Sequence, residues 1–263
     1  MTEIEILKQH YETFDEESRL LSRHGQVEYL TTMKYIHACA KEVNAKSIVE
    51  VGAGTGRYSV ALAKEGFNVT AVELIEHNLE VLRSMLNSSE PITALQGNAL
   101  DLSQFADGSF DMTLLLGPMY HLFTFENKKK ALSEAVRVTK QDGYIMVAYC
   151  MNEPTIINFG FRHGNLQYIL NNNLLLDEWH CKSEPKEIFE LYRTEDIAEL
   201  DATVNVTREK LIATDGATNY MRDIIDGMDN FTFEKWMEYH FAICERHDLI
   251  GASHHTLDIL RKN

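Results

Sequence analysis

Short runs of mainly apolar residues alternate with segments whose apolar residues recur every three or four positions, most regularly between residues 46 and 150. Such runs are typical of buried strands, and spacings of three and four are typical of amphipathic helices. Helical spacing follows the first, second and fourth runs. The predicted strands are residues 48–51, 68–73, 92–96, 110–117 and 144–148.

The chain before this core has a helical pattern. Ile4, Leu7, Tyr11 and Phe14 fall at steps of three and four, which predicts one apolar face of a short helix. A second, longer helix is predicted from residue 27 to residue 43. Both helices would precede the first strand, so the chain is expected to begin with a helical arm.

The chain after the core carries three further features. Residues 154–179 are too long for a plain connection, and we interpret them as an inserted helical lid. A dimerisation surface is the alternative, and the sequence does not separate the two. Residues 203–207 and 211–215 predict a sixth strand around a turn. A long helix is predicted over 231–247, and residues 255–261 predict the last strand.

The first strand runs directly into a glycine-rich turn that contains Gly52, Gly54 and Gly56. Glycine allows backbone conformations closed to other residues and leaves no side chain to keep a ligand away. The helix that follows directs its unpaired N–H groups and its positive dipole end at the turn. This arrangement predicts a binding site for a nucleotide-like ligand.

Two acids near the turn narrow the choice of ligand. The glycines read G-x-G-x-G, whereas the dinucleotide fingerprint reads G-x-G-x-x-G and is shaped around a pyrophosphate. Glu50 stands two residues before Gly52, where a carboxylate would repel a pyrophosphate but suit an ammonium or sulfonium group. Glu73 ends the second strand, 21 residues after Gly52. That is about the distance expected for an acid that binds both hydroxyls of a ribose.

With these residues the chain resembles the class I S-adenosylmethionine-dependent methyltransferases of the small-molecule type, close to methyltransferase type 11. The resemblance covers residues 45–150 well and the rest poorly. It implies an α/β fold with a Rossmann-like, seven-stranded, mostly parallel sheet, helices on both faces and an antiparallel last strand. It also implies S-adenosylmethionine as the cofactor. The matching segments are residues 50–56, 72–74, 96–102, 110–122, 134–140 and 142–143.

A single methyltransferase domain, residues 1–263, is expected. Residues 1–45 would form the N-terminal helical arm, 46–150 the cofactor-binding core and 151–200 the inserted lid. Residues 201–263 would supply the strands and the helix that complete the sheet.

The resemblance places the cofactor-binding residues in the arm and at the carboxyl ends of the strands. The predicted set is Tyr11, Arg19, Glu50, Gly52, Ala53, Gly54, Gly56, Glu73, Leu74, Asn98, Ala99, Leu100 and Leu116.

Three of these assignments have a structural alternative. Tyr11 and Arg19 could reach the methionine end of the cofactor, with Arg19 pairing with its carboxylate. Alternatively, Tyr11 is an aromatic residue at the edge of the core and Arg19 a surface charge. Asn98 is predicted to accept the exocyclic amine of the adenine, and the alternative is that it only terminates a strand.

The loop after the fourth strand carries the predicted catalytic residues. In an open α/β sheet, ligands bind beyond the carboxyl ends of the strands, so this loop would lie over the sulfonium. Tyr120 and His121 are the best-placed side chains. An imidazole titrates near neutrality when unperturbed, so His121 is the candidate base, and Tyr120 could orient the acceptor.

A metal site is weighed and not predicted. His240, Cys244 and His247 share one face of the predicted helix, with His254 and His255 downstream, and two of these could hold a metal. The surrounding apolar residues favour a packed helix instead, and the chemistry that the resemblance implies needs no metal.

Composition narrows the class of partner. The formal net charge of −15 repels phosphate backbones and anionic lipid, so nucleic acid and membrane partners are disfavoured and a small-molecule acceptor is expected. The N-terminus lacks a signal-peptide pattern, and no apolar run approaches the ~18 residues needed to cross a bilayer. Four scattered cysteines are typical of reduced thiols, so a cytoplasmic protein is expected. A homodimer is also considered.

The predicted function is methyl transfer from S-adenosylmethionine to an N, O, S or C atom of a small molecule, with S-adenosylhomocysteine as the second product. A methyltransferase acting on RNA or protein is the main alternative. An NAD-dependent oxidoreductase is disfavoured by the glycine spacing and by Glu50. A non-catalytic nucleotide-binding module also remains open.

Overall fold

The computed structural model describes residues 2–13, 20–87 and 89–263. The first half of the chain contains α1 Glu3–Thr13, α2 Arg23–Glu42, β1 Ser47–Val51, α3 Arg57–Lys64, β2 Asn68–Glu73, α4 Glu76–Met85, β3 Ile92–Gln96, β4 Phe110–Leu115 and α5 Phe125–Val138. The second half contains β5 Thr139–Cys150, α6 Asn152–Thr155, α7 Leu166–Asn171, α8 Thr194–Asp201, β6 Val206–Ala213, α9 Arg222–Asp226, α10 Asn230–Ile243, α11 His247–Ile250 and β7 His255–Lys262.

The seven strands form one sheet in the order β3-β2-β1-β4-β5-β7-β6. Every pairing is parallel except those of β7, which runs antiparallel to both β5 and β6. The predicted seven-stranded, mostly parallel sheet with an antiparallel last strand is therefore confirmed. The strand order reverses between β1 and β4, and in such sheets the ligand crevice lies at the carboxyl ends of the strands at that point.

Alternate residues of the central strands supply two separate cores, one on each face of the sheet. Ile48 and Met112 pack in the cluster that includes Ile36 of α2 and Leu62 of α3. On the other face of the sheet, Val49 of β1 and Leu115 of β4 pack in a second cluster with α5 and α8. The near-continuous apolar sequence of these strands follows from burial on both faces.

The junction between α5 and β5 differs from the prediction. The fifth strand was predicted over residues 144–148, but α5 ends at Val138 and β5 begins at Thr139, so Asp142 and Gly143 lie within the strand. Phe110 pairs with Thr139 whereas Met112 pairs with Tyr144, so residues 140–143 form an irregularity in the strand. A Cβ on Gly143 would lie 2.6 Å from the Asp111 carbonyl oxygen. Close backbone approach, not helix capping, therefore explains this glycine.

The sixth strand and the helix after it also differ. Residues 203–207 and 211–215 do not flank a turn, because β6 is continuous over Val206–Ala213 with a bulge between Arg208 and Lys210. The charged residues Arg208, Glu209 and Lys210 suggested a turn, but they belong to an edge strand, where charged side chains are common. The predicted helix over 231–247 is shorter, since α10 ends at Ile243 and His247 begins α11.

The N-terminal arm has two described helices. Helix α1 has no buried residue, and α2 begins four residues before the predicted start at residue 27. The side chain of Ser22 accepts a hydrogen bond from the backbone N–H of Gly25 and caps α2. Phe14 and Arg19, which the sequence analysis assigned to the arm, lie outside the described residues.

The segment predicted as a lid contains α6, a π-helical turn over Ile156–Arg162, and α7. Its outer side exposes a group of large apolar residues, which suits either interpretation of the segment. Its last part contacts the loop after β4, where the backbone N–H of Glu190 donates to the Tyr120 carbonyl at 2.9 Å. The exposed apolar residues are Ile157, Phe159, Phe161, Tyr168, Leu170, Leu176 and Trp179.

Within the described ranges, no helix has the length and apolar character needed to cross a membrane.

Candidate active site

The glycine turn after β1 has the backbone geometry that its sequence predicts. Gly52, Gly54 and Gly56 have φ angles of 75°, 56° and 89°, which side chains rarely allow. A Cβ on Gly52 would lie 2.5 Å from Pro118 Cδ, and one on Gly56 would lie 2.1 Å from Leu82 Cδ1. Glycine therefore lets the loop after β4 and helix α4 pack directly against the turn.

Glu73 ends β2 beside this turn and is 5% exposed. Its Oε2 accepts a hydrogen bond from the backbone N–H of Gly54 at 2.7 Å, and its Oε1 accepts one from Ile75 at 2.8 Å. Burial raises the pKa of this carboxyl above its ordinary value, against the lowering effect of these bonds. Each carboxylate oxygen can accept more than one hydrogen bond, so the fixed group is still able to bind hydroxyls.

Glu50 lies on β1, the strand next to the one that carries Glu73, and is 1% exposed. It accepts a hydrogen bond from the Ser59 hydroxyl. Burial raises the pKa of Glu50 to about 8, the Ser59 bond acts in the opposite direction, and the charge of Glu73 adds to the rise. The side chain is therefore largely protonated at neutral pH in the absence of a nearby cation.

Replacing Glu50 with glutamine is expected to make the protein relatively more stable as pH rises. The folded-state pKa is raised from 4.5 to about 8, so folding retains a proton over this interval that the unfolded chain has lost. Wild-type stability therefore falls across the interval, by up to about 1.4 kcal/mol per pH unit. Urea titrations of both proteins over this range measure the effect, and a pH-independent difference would contradict it.

The structure shows the turn-closing role of Asn98 in the turn after β3 and leaves its adenine role untested. Asn98, Ala99 and Leu100 line the same cleft as Leu74. The Asn98 Oδ1 atom also accepts a hydrogen bond from the backbone N–H of Leu100 at 2.9 Å, which closes the turn. A carbonyl oxygen can accept a second bond, so adenine recognition by Asn98 stays a prediction.

A continuous cleft of about 1380 Å³, including its open mouth, gathers most of the predicted residues. It brings together Tyr11, Glu50, Gly52, Ala53, Gly54, Glu73, Leu74, Asn98, Ala99, Leu100, Leu116, Tyr120 and His121. Gly56 does not line the cleft, because it packs against Leu82 behind the turn. Arg19 lies outside the described residues.

His121 is fixed on both ring nitrogens. Its Nδ1 lies 3.0 Å from the Ile188 carbonyl oxygen, which can only accept, so Nδ1 carries the proton. Its Nε2 then accepts from the Tyr11 hydroxyl at 2.8 Å. Burial lowers the pKa of His121 to about 4. The premise for the predicted base, a pKa near neutrality, therefore does not hold here, and the base role itself stays a prediction.

Tyr120 contributes its ring to the cleft, while its hydroxyl donates to the Leu116 carbonyl at 2.9 Å. Its ring centroid lies 4.9 Å from that of His121 and 6.0 Å from that of Phe189. The residue therefore fixes the loop after β4 as well as lining the cleft. Orientation of an acceptor by Tyr120 stays a prediction.

Replacing Tyr11 with phenylalanine is expected to weaken the attachment of the arm to the site. The change removes the hydroxyl that bonds His121, at a cost of about 1 kcal/mol, or about fivefold in an equilibrium constant. Hydrogen exchange of α1 should become faster, and the dissociation constant for S-adenosylhomocysteine should rise by that factor. Tyr239→Phe, at a side chain 53% exposed, is the matched control. Equal exchange rates of α1 and equal dissociation constants in the two variants would contradict the prediction.

Arg57, Asn78 and Ile188 are among the cleft residues that were not predicted. Arg57 follows Gly56 directly, and its Nε is buried with no hydrogen-bond partner among the described residues. Asn78 lies in the first turns of α4 and is 3% exposed. The positions of Arg57 and Asn78 next to motif residues could have indicated them. Ile188 is 67 residues beyond His121 in sequence, so no local signal points to it.

The histidines weighed for a metal do not form the group considered. His240 is buried in α10, Cys244 packs with its Sγ 3.3 Å from the Tyr35 hydroxyl, and His247 lies in another helix. Among the described residues, the group close enough to share an ion is Asp215, His254 and His255.

The residues of the cleft fit S-adenosylmethionine. Glu73 offers fixed carboxylate oxygens for two hydroxyls, and Asn98 offers an amide for a purine amine. Glu50 is a buried acid that an adjacent cation would help to ionise. A pyrophosphate would instead meet carboxyl groups on both sides of the turn.

The fold and this set of residues resemble those of the class I S-adenosylmethionine-dependent methyltransferases, and the cleft fits S-adenosylmethionine as a cofactor. Residues 49–147 match the family described as "Methyltransferase domain".

Similar curated proteins include methyltransferases that are named after small-molecule substrates. The glycine/sarcosine N-methyltransferase of Aphanothece halophytica is 26% identical over 150 residues, 56% of this chain and 54% of that protein. A demethylmenaquinone methyltransferase of Renibacterium salmoninarum is 33% identical over 129 residues, 49% of this chain and 50% of that protein. The chain spans about half the length of these relatives.

Solved structures share the fold over almost the whole chain. One is a methyltransferase of Thermotoga maritima described as a possible histamine N-methyltransferase, with a TM-score of 0.60 and 19% identity. The match covers 98% of this chain and 99% of that one. The [4+2]-cyclase SpnF also matches, with a TM-score of 0.52 and 13% identity over 89% of this chain and 81% of that chain.

Proposed function

We propose that the chain is an enzyme that transfers the methyl group of S-adenosylmethionine to a small-molecule acceptor. The observation that carries the proposal is the Glu73 carboxylate. It is held by the backbone N–H of Gly54 in the glycine turn and by that of Ile75 after β2, in the cleft that also contains Glu50 and the loop after β4.

The bound cofactor would supply an electrophilic methyl group, whose bond to sulfur breaks, leaving the electron pair on sulfur, as the acceptor atom bonds to carbon. The protein's part is alignment and exclusion of water, and alignment alone can contribute several kcal/mol to catalysis. Glu73 would hold the ribose, and the Leu116–Pro118 backbone would border the reacting region. A neutral His121 linked to Tyr11 could receive a proton released by the acceptor.

Two observations favour a small acceptor. The names of two relatives, a glycine/sarcosine N-methyltransferase and a demethylmenaquinone methyltransferase, give small molecules as their substrates. The formal net charge of −15 disfavours an RNA substrate, because negative protein surfaces repel the phosphate backbone.

Residues 151–200 are proposed to act as a lid rather than as a subunit interface. Pro185 and Ile188 of this segment line the cleft, and the Ile188 carbonyl accepts the Nδ1 proton of His121. Protection of this segment from proteolysis on cofactor binding would support the lid. A homodimer stays a prediction that light scattering can test.

Isothermal titration calorimetry tests the proposed function directly. S-adenosylhomocysteine is expected to bind at the cleft and NAD is expected to give no heat. Radiolabel from the methyl group of the cofactor should then enter a metabolite extract only with active protein. Binding of NAD without S-adenosylhomocysteine would overturn the proposal.

A further inference from the structure

A second cavity of about 970 Å³, including its open mouth, lies beside the cofactor cleft. Tyr11 and Tyr120 line both spaces, so the two spaces meet at these side chains. The remaining lining comes from α1, α2, the end of β5, Phe189, the turn after β6, Arg222 at the start of α9 and the residues at the start of β7. An acceptor held in this cavity would reach the cofactor by extending between Tyr11 and Tyr120.

One part of the lining is an imidazole between two acids. His255 Nδ1 lies 2.9 Å from Asp215 Oδ2 and 3.3 Å from Glu28 Oε2. The three side chains are 18%, 7% and 14% exposed. Burial acts to lower the pKa of His255, but the charge of Glu28 and the hydrogen bond to Asp215 outweigh it and raise that pKa well above its ordinary value. His255 is therefore a cation that compensates one of the two acids.

Another part of the lining carries polar atoms without partners. The Arg222 guanidinium donates from Nε to the Asn219 side-chain oxygen. This leaves Asn219 Nδ2 buried with no hydrogen-bond partner among the described residues, in a residue 5% exposed. His254 Nδ1 is also buried and without a partner in the described parts of the chain. Burial and the neighbouring charge of His255 lower the pKa of His254 to about 3, so this ring is neutral.

These groups specify the chemistry of an occupant. An amide N–H can only donate, so Asn219 Nδ2 requires an acceptor atom from the ligand, and an unpaired buried donor is costly. Arg222 adds a positive charge and a planar fork that matches a carboxylate. The lining holds two acids, Glu28 and Asp215, and two cations, His255 and Arg222, so the formal charges of these four residues sum to zero. A dianionic phosphate would therefore upset the charge balance more than a single carboxylate would.

We propose that the second cavity binds the methyl acceptor, and that the acceptor is a small molecule whose carboxylate is held by the Arg222 guanidinium and the Asn219 amide. This inference rests on the proposed function. It assigns the recognition of the acceptor to residues outside the cofactor cleft.

Histidine-detected NMR tests the site with three probes of similar size. Propionate carries the carboxylate alone, ethylamine carries the amine alone, and L-alanine carries both. In protein labelled with ¹⁵N at histidine and saturated with S-adenosylhomocysteine, propionate and L-alanine should shift the His254 and His255 signals. Ethylamine should leave them unchanged. Shifts with ethylamine and none with propionate, or no shift with any probe, would overturn the proposal.

Variants of the two binding residues provide the second measurement. Arg222→Gln and Asn219→Asp should each weaken propionate binding at least about tenfold, because one removes the cation and the other adds a repelling charge. Arg222→Lys should restore part of the affinity. Arg246→Gln is the matched control, since Arg246 is exposed and pairs with Asp248 away from the cavity. Equal affinities in all four variants would refute the assignment.

Further outcomes separate failure of this inference from failure of the proposed function. If S-adenosylhomocysteine fails to bind, the proposed function fails; if it binds and the carboxylate probes do not, only this inference fails. Zinc binding at Asp215, His254 and His255 without any response to carboxylates would assign the cluster to a metal and overturn the proposal. Methylated products formed from a metabolite extract by wild type, but lost with Arg222→Gln, should all carry a carboxylate.

Discussion

Glu73→Ala is expected to weaken binding of S-adenosylhomocysteine at least about 100-fold. The change removes two acceptor oxygens placed for a pair of ribose hydroxyls, and hydrogen bonds to a charged group contribute about 1.5–3 kcal/mol each. A factor of 100 corresponds to about 2.8 kcal/mol. The two backbone N–H groups that hold Glu73, those of Gly54 and Ile75, also lose their acceptor. The turn would therefore become less ordered.

Glu73→Gln separates the loss of binding groups from the loss of turn structure. Glutamine keeps the size and one acceptor oxygen, so an intermediate loss of about tenfold is expected. Glu76→Ala is the matched control, because Glu76 is an exposed acid in the first turn of α4. Calorimetry gives the affinities, and circular dichroism confirms that each variant is folded. Unchanged affinity in Glu73→Ala would remove the ribose role.

The sheet could be predicted because its determinants are local. Apolar runs, the glycine turn and the acid at the end of β2 are each readable within a few residues. Once β1 and β2 are parallel neighbours, the acid and the turn meet at the same edge of the sheet. The contact between Gly54 and Glu73 is therefore a consequence of strand order.

The chemistry around His121 could not be predicted in the same way. Its two hydrogen-bond partners come from α1 and from residue 188, so both contacts depend on long-range folding. Burial among these elements lowers its pKa to about 4. Residue type and loop position indicated where His121 lies, but they could not indicate its desolvation.

The second cavity was missed for a related reason. Its polar residues are spread from α2 to the start of β7, and no spacing connects them. His254 and His255 were considered only together with the helix face of His240. The tertiary structure instead joins them to Asp215 and Glu28.

Fold similarity alone does not establish methyl transfer. A structure described as a [4+2]-cyclase shares this fold at a TM-score of 0.52. Methyl transfer also requires an acceptor in the space next to the cofactor. The acceptor experiments therefore carry more information about function than any further comparison of folds.

Arg208→Met is expected to destabilise the protein by about 3–5 kcal/mol. Two of the guanidinium nitrogens of Arg208 each lie 2.9 Å from an oxygen of Asp258, and Nη2 lies 2.6 Å from Asp201 Oδ2. Asp258 is fully buried, and burial together with Asp201 raises its pKa well above the ordinary value. Without the cation, two acids remain in a site that cannot solvate them.

The pH dependence and a second substitution identify the cause of this loss. Losing the guanidinium raises the pKa values of both acids further, so folding would have to retain protons that the unfolded chain releases. The destabilisation should therefore grow as pH rises. Adding Asp258→Asn removes one buried acid and should recover part of the stability. Arg246→Met, which breaks an exposed pair with Asp248, should cost less than about 1 kcal/mol. Urea unfolding that gave equal losses for Arg208→Met and Arg246→Met would show that the buried acids are solvated by other means.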